Sequence, residues 1–147
     1  MRPLIIAVVL ALACVGCVTT GAARLDPVSC DGPGAPAVES VSAEDVDAPP
    51  TLIGGLEALQ RRLQIPDAAR RQSAAARAVV RFVVAADGTV VCSDAVQGNN
   101  GFFNDAARRA VHASAFEPAQ NGGEPVAAIT QLAVSYRVSG QAAGGRR

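Results

Sequence analysis

Two runs of β-branched residues, Val79 to Val84 and Thr89 to Val96, flank Ala85-Ala86-Asp87-Gly88 and commit the middle of this chain to a β-hairpin. Branched side chains suit a pleated surface, and Asp-Gly supplies a turn residue that tolerates positive φ. A three-residue loop, Ala86-Asp87-Gly88, gathers Val80, Phe82, Val84, Val90, Cys92 and Val96 on one face, with Asp94 near the strand end. The other face then holds Val79, Arg81, Val83, Val91, Ser93 and Ala95. A two-residue turn would instead bring Arg81, Cys92 and Asp94 together. Register follows the cleaner apolar face, which favours the three-residue loop.

The elements around the hairpin follow from spacing. Leu56, Leu59 and Leu63 recur at i, i+3 and i+7 and predict a short helix with one apolar face. Pro66, suited to a first helical position, opens a second helical turn. After the turn at Asn99-Asn100-Gly101, Asn104 is a candidate cap for a helix to about Ala113. Its stripe is Phe103, Ala106 or Ala107, Ala110 and Val111, which leaves Arg108 and Arg109 facing water. Pro125 to Val138 reads as a closing strand, with Leu132, Val134, Tyr136 and Val138 on one side and Ala133, Ser135 and Arg137 on the other.

At 147 residues the chain has room for one domain and its flanks. Met1-Arg2-Pro3, an apolar run from Leu4 to Ala13 and then Cys14-Val15-Gly16-Cys17 form a secretory signal. The run is too short for a membrane span, which needs ~20 residues. Its end resembles a bacterial lipobox, with Cys17 as the lipidation site, Cys14 as the rival and a plain signal peptide as the competing reading. Residues 18–49 are rich in Pro, Gly and acids, without apolar periodicity, and are expected to form a disordered linker. Residues 139–147 are expected to be a flexible tail. Export leaves Cys30 and Cys92, which either pair as a staple or remain free thiols, Cys92 packing as a small hydrophobe.

The ordered set Pro50, Gly54-Gly55, Leu59, Leu63, Ile65-Pro66, Ala69, Val-x-Phe-x-Val, Asp87-Gly88-x-Val, Ala106, Ala110-Val111, Phe116-x-Pro118-Ala119, Asn121-Gly122 and Pro125-Val126, closed by a strand through Tyr136, resembles the C-terminal domain of the TonB energy-transducer family. The resemblance covers residues 50–138. It implies an α+β, two-layer domain with helices on one face of a small antiparallel sheet. It also implies a periplasmic protein-binding module that pairs a partner's extended segment to a sheet edge, as TonB does with outer-membrane receptors. On that basis Ile129, Leu132, Val134, Ser135 and Tyr136 of the closing strand are the expected partner-binding residues. The expected partner is an envelope protein such as a TonB-dependent outer-membrane receptor, with a lipid anchor holding the chain to the outer membrane. The alternative role is a structural lipoprotein that tethers an envelope assembly without transport coupling. From Cys17 to Pro49 about 32 residues reach a little over 100 Å when fully extended.

Other chemistries find little support. Net charge is zero and aromatics are 3%, which gives no footprint for nucleic acid. His112 is the sole histidine, and no nucleophile motif surrounds Ser93, Asp94 or Ser114, so no enzyme is expected. Cys30, Cys92 and His112 lack metal-ligand spacing, and Gly54-Gly55 lacks the lysine of a phosphate loop, so neither metal nor cofactor is expected.

Overall fold

The computed structural model describes residues 27–31 and 35–137. The signal, Cys14 and Cys17, and the tail from residue 138 lie outside them. The hairpin strands are β3 (Ala75–Val84) and β4 (Val90–Gly98), numbered in chain order after β1 (Val41–Ser42) and β2 (Thr51–Leu52). The Ala85 N–H donates to the Thr89 carbonyl at 2.8 Å, which closes a three-residue loop. Gly88 there has φ 85°, and an added Cβ would run into the Phe116 carbonyl oxygen. Asp87 accepts from the Thr89 hydroxyl and N–H at 2.6 and 2.9 Å, and these bonds hold its carboxyl below the usual carboxylate range.

The loop is as the sequence indicates, but the faces of β4 are not. Val84 lies opposite Val90 while Val83 lies opposite Cys92, so Val91 is an extra, bulged residue. A second irregularity leaves Val96 unpaired between Val80 opposite Ala95 and Val79 opposite Gln97. Between the two, Cys92 to Ala95 exchange faces. Ser93, opposite Phe82, is fully buried on the helix side, while Cys92 and Asp94 join Val83 and Arg81 on the other side.

The closing strand β8 (Ala128–Arg137) runs antiparallel to β3 along its whole length, from Ala75 opposite Arg137 to Val84 opposite Ala128. The start of the predicted strand is separate. Glu124–Val126 (β7) pairs instead with Ala119–Asn121 (β6), through a turn where Gly122 and Gly123 take positive φ. The sheet is mixed rather than purely antiparallel, because β1 pairs in parallel with the start of β8, giving the order β1-β8-β3-β4. β2 pairs with β5 (Phe116–Glu117), and the Gly88 carbonyl accepts from Phe116 N–H, seating the hairpin loop on that corner.

Helices α1 (Gly55–Arg62), α2 (Asp67–Gln72) and α3 (Gly101–His112) accompany the sheet, and the fold is α+β. Phe103, Ala106, Ala107, Ala110 and Val111 of α3 are buried, as the stripe requires. The cap is Asn100, not Asn104: its Oδ1 accepts from Phe103 N–H at 3.1 Å, while its Nδ2 donates to the Ala69 carbonyl at 3.0 Å. The Asn104 side chain lies instead against Gly98. In α1, Leu59 is buried and Leu63 packs on the core, but Leu56 in the first turn is 55% exposed. Ala58 is the second buried residue of that helix. The core centres on Phe82 and Phe103, with ring centroids 5.0 Å from Phe116 and 4.8 Å from Tyr136 respectively.

Parts of the stretch expected to be a free linker lie against the domain. Val41–Ser42 forms β1, and Ala48 bridges Gln120 through two backbone hydrogen bonds. Residues 27–31 run beside β4, with Cys30 disulfide-bonded to Cys92. Each contact satisfies backbone groups that a sheet edge would otherwise leave open.

Candidate functional site

A four-stranded sheet has two edges, and here they differ. On the β4 side, Ser93 N–H donates to the Val28 carbonyl at 2.9 Å. Cys30 N–H donates to Asp94 Oδ2 at 2.8 Å, and Arg81 bridges Asp31 and, at 4.0 Å, Asp94. Arg108, expected to face water, reaches back instead: its Nε donates to the Ser93 carbonyl at 3.0 Å and its Nη2 to the Pro27 carbonyl at 2.9 Å. Residues 27–31 are thus a strap along β4, stapled by the disulfide.

On the β8 side the cover is short. Val41 and Ala43 donate to the carbonyls of Ala127 and Ile129 at 3.1 and 3.0 Å, and β1 ends there. In an extended strand the N–H and C=O of one residue point to the same side and alternate along the chain. The odd-numbered residues of β8 therefore aim their backbone outward, and the even-numbered ones aim it at β3. Beyond Ile129 the outward groups belong to Gln131, Ala133, Ser135 and Arg137, and all four residues are exposed. On that outer side no described strand pairs with the stretch. It spans seven residues, Gln131 to Arg137, enough for a short added strand.

The five residues expected to bind a partner separate on this basis. Ser135 presents its backbone to the open edge. Ile129 lies on the same side, but β1 already occupies its carbonyl. Val134 and Tyr136 are buried at 4% and 8% exposure, and Leu132 packs on the core, so all three side chains face the helices. They hold the strand rather than display it. The Tyr136 hydroxyl lies 2.9 Å from the Ala69 carbonyl and 2.8 Å from that of Ser73, its one proton shared between them, and ties the far end of β8 to α2. Gln131 and Ala133, outside those five, also present their backbone to the open edge. Apolar alternation finds the core side of a strand but does not say which of its backbone groups meet a neighbour.

Residues 61–138, more than half of the chain, match the family described as the C-terminal domain of the Gram-negative bacterial TonB protein. The chain belongs to the TonB C-terminal family. Two solution structures of the Helicobacter pylori TonB C-terminal domain are similar to it. One is 22% identical, with a TM-score of 0.44, and covers 57% of this chain and 89% of its own. The other, a longer version, is 23% identical, with a TM-score of 0.38, and covers 56% and 77%. No curated protein matches the chain in sequence. TonB C-terminal domains are non-enzymatic and act in the periplasm.

The groups weighed for catalysis are dispersed in this TonB domain. Ser114, just past the end of α3, donates to the Ala110 carbonyl, Asp94 holds the strap, and Ser93 is enclosed under α3. His112 has its pKa lowered, first by burial and then by the nearby Arg108 charge. Among the described residues no three His, Cys, Asp or Glu side chains gather as metal ligands, and no helix is long and apolar enough to cross a membrane.

Proposed function

We propose that this TonB C-terminal domain binds an extended segment of an envelope protein by adding it to the outer edge of β8. The partner in this reading is a TonB-dependent outer-membrane receptor, with Cys17 lipidated and anchoring the chain from the periplasmic side. The observation that carries it is the open length of β8: residues 27–31 touch only the middle of β4, at Ser93 and Asp94, whereas beyond β1 the residues Gln131, Ala133, Ser135 and Arg137 turn their backbone groups outward with no described strand beyond them. Affinity would come from backbone hydrogen bonds, so deleting an N–H matters more than trimming a side chain.

Ser135→Pro is the test, because its N–H faces away from β3 and its side chain is exposed. The expected result is a domain with wild-type circular dichroism that no longer crosslinks to a receptor from position 133, while Ser135→Ala behaves as wild type. A folded Ser135→Pro protein that still captures the receptor refutes the edge. Deletion of the gene is expected to impair uptake of a metal-siderophore or vitamin; normal uptake with a leaky envelope would point to the tethering role instead. Cys17→Ser is expected to abolish lipid labelling, and labelling lost only with Cys14→Ser would move the site.

A further inference from the structure

The open stretch of β8 has a chemical polarity that backbone pairing alone does not need. At its far end, a cavity of about 410 Å³ is lined by Ala75, Arg77, Asn99, Ser135 and Arg137 among others. Arg77 lies opposite Ser135, and Arg137 is on the same strand face as Ser135 two residues on. Both arginines are exposed, and neither has an acidic partner among the described residues, unlike Arg61, Arg70 and Arg81. The neighbouring positions on that face, Ala75, Val79, Gln97 and Ala133, carry no acid. The Arg77 backbone is fixed, its N–H donating to Asn99 Oδ1 at 3.0 Å and its carbonyl accepting from Asn99 N–H at 3.3 Å.

We infer that the β8 edge selects an acidic extended peptide, one that places a Glu or Asp opposite Ser135 or Arg137. This rests on the strand-addition reading above and adds the partner's chemistry to it. A residue paired with an odd-numbered β8 residue shares that residue's face, because directly opposite side chains in a sheet project to the same side. A carboxylate-bearing residue opposite Arg137 has its Cβ about 5 Å from that of Arg137, and one opposite Ser135 is two strands from Arg77, about 10 Å by strand spacing and within the span of a long arginine side chain. Guanidinium groups take carboxylates in a planar, two-bonded fork, which favours this pairing over a diffuse attraction. The chain's own occupant of the same edge offers a precedent in composition, since β1 lies within a segment carrying Glu39, Glu44, Asp45 and Asp47.

The probes are three blocked peptides, Thr-Val-Thr-Xaa-Thr-Val-Thr, with Glu, Gln or Lys at Xaa, titrated into the isotope-labelled full chain while amide shifts are followed. All three are expected to move the amides of Gln131, Ala133 and Ser135, with Glu bound about threefold more tightly than Gln, and Lys more weakly still. The preference should shrink at 0.5 M salt, because exposed charges are screened there. Arg77→Glu with Arg137→Glu should invert the order to favour Lys, a reversal that mere loss of fold cannot produce. Equal binding of all three peptides at the β8 amides overturns the acidic preference and leaves strand addition standing. No movement of those amides with any peptide overturns both.

Discussion

Cys30→Ser opens the disulfide without inserting a polar group into the core, since Cys92, 2% exposed, remains as a small apolar side chain. The bond closes a loop with a sequence separation of 62. Chain entropy for a loop of that size stabilises the folded state by about 4 kcal/mol. Measured losses for native disulfides run from ~2 to ~5 kcal/mol, so the expected cost lies in that interval. For a domain of about 100 residues each kcal/mol moves Tm by roughly 4–8 °C, which predicts a fall of at least ~8 °C. Thermal unfolding by circular dichroism, with and without reductant, is the assay. Wild type in reductant should match Cys30→Ser, and reductant should do nothing further to the variant. The strap gives a second readout: Ser93 N–H, held by the Val28 carbonyl at 2.9 Å, should lose hydrogen-exchange protection. A Tm within 3 °C of wild type, with Ser93 still protected, would show that the strap is held by its hydrogen bonds and ion pairs alone.

Asn100→Ala removes the α3 cap and the bond to the Ala69 carbonyl, which keeps the Tyr136 hydroxyl as a partner; a loss of about 2 kcal/mol in urea unfolding is expected. Gly88→Ala combines positive φ with a Cβ driven against the Phe116 carbonyl, and should cost at least ~2 kcal/mol in the same measurement. His112 has a folded pKa below its unfolded value of 6.5, so the folded state resists its protonation. Its contribution is intact above pH 6.5 and is lost as pH falls from there through the folded pKa. Stability measured against pH should therefore decline more steeply over that window in wild type than in His112→Gln.

The local elements were legible because each rests on a short-range signal. Phe103, Ala106, Ala107, Ala110 and Val111 fall on one helical face whatever lies beyond, and Asp87-Gly88 demands its turn. The structure departs from these short-range signals where a distant partner decides. Asn100 outcompetes Asn104 as the cap because its amide also reaches the Ala69 carbonyl, 31 residues away. Arg108 turns inward because the strap offers it the Pro27 carbonyl, 81 residues away. β1 has too little apolar pattern to be read as a strand, and exists as one because β8 presents carbonyls to it. The candidate edge was legible as a strand but not as a set of outward groups, since that set depends on which neighbour the strand takes.

The exchanged faces of β4 had a trace in the sequence after all. Strict alternation from the turn puts Asp94 on the same side as Phe82 and Val80, beneath the helices. An ionised carboxylate buried there without a partner would cost several kcal/mol, whereas a bulge costs little more than one unpaired residue and a local bend. Bulging at Val91 moves Asp94 to the open face, where it meets Arg81 and the Cys30 N–H, and brings the small Ser93 under α3. The same shift turns Cys92 toward Cys30. The disulfide then fixes the strap, and the strap takes up the outward Ser93 N–H of β4. A charged residue out of phase in an otherwise apolar strand face thus led, through one bulged valine, to a strap tied to the middle of β4.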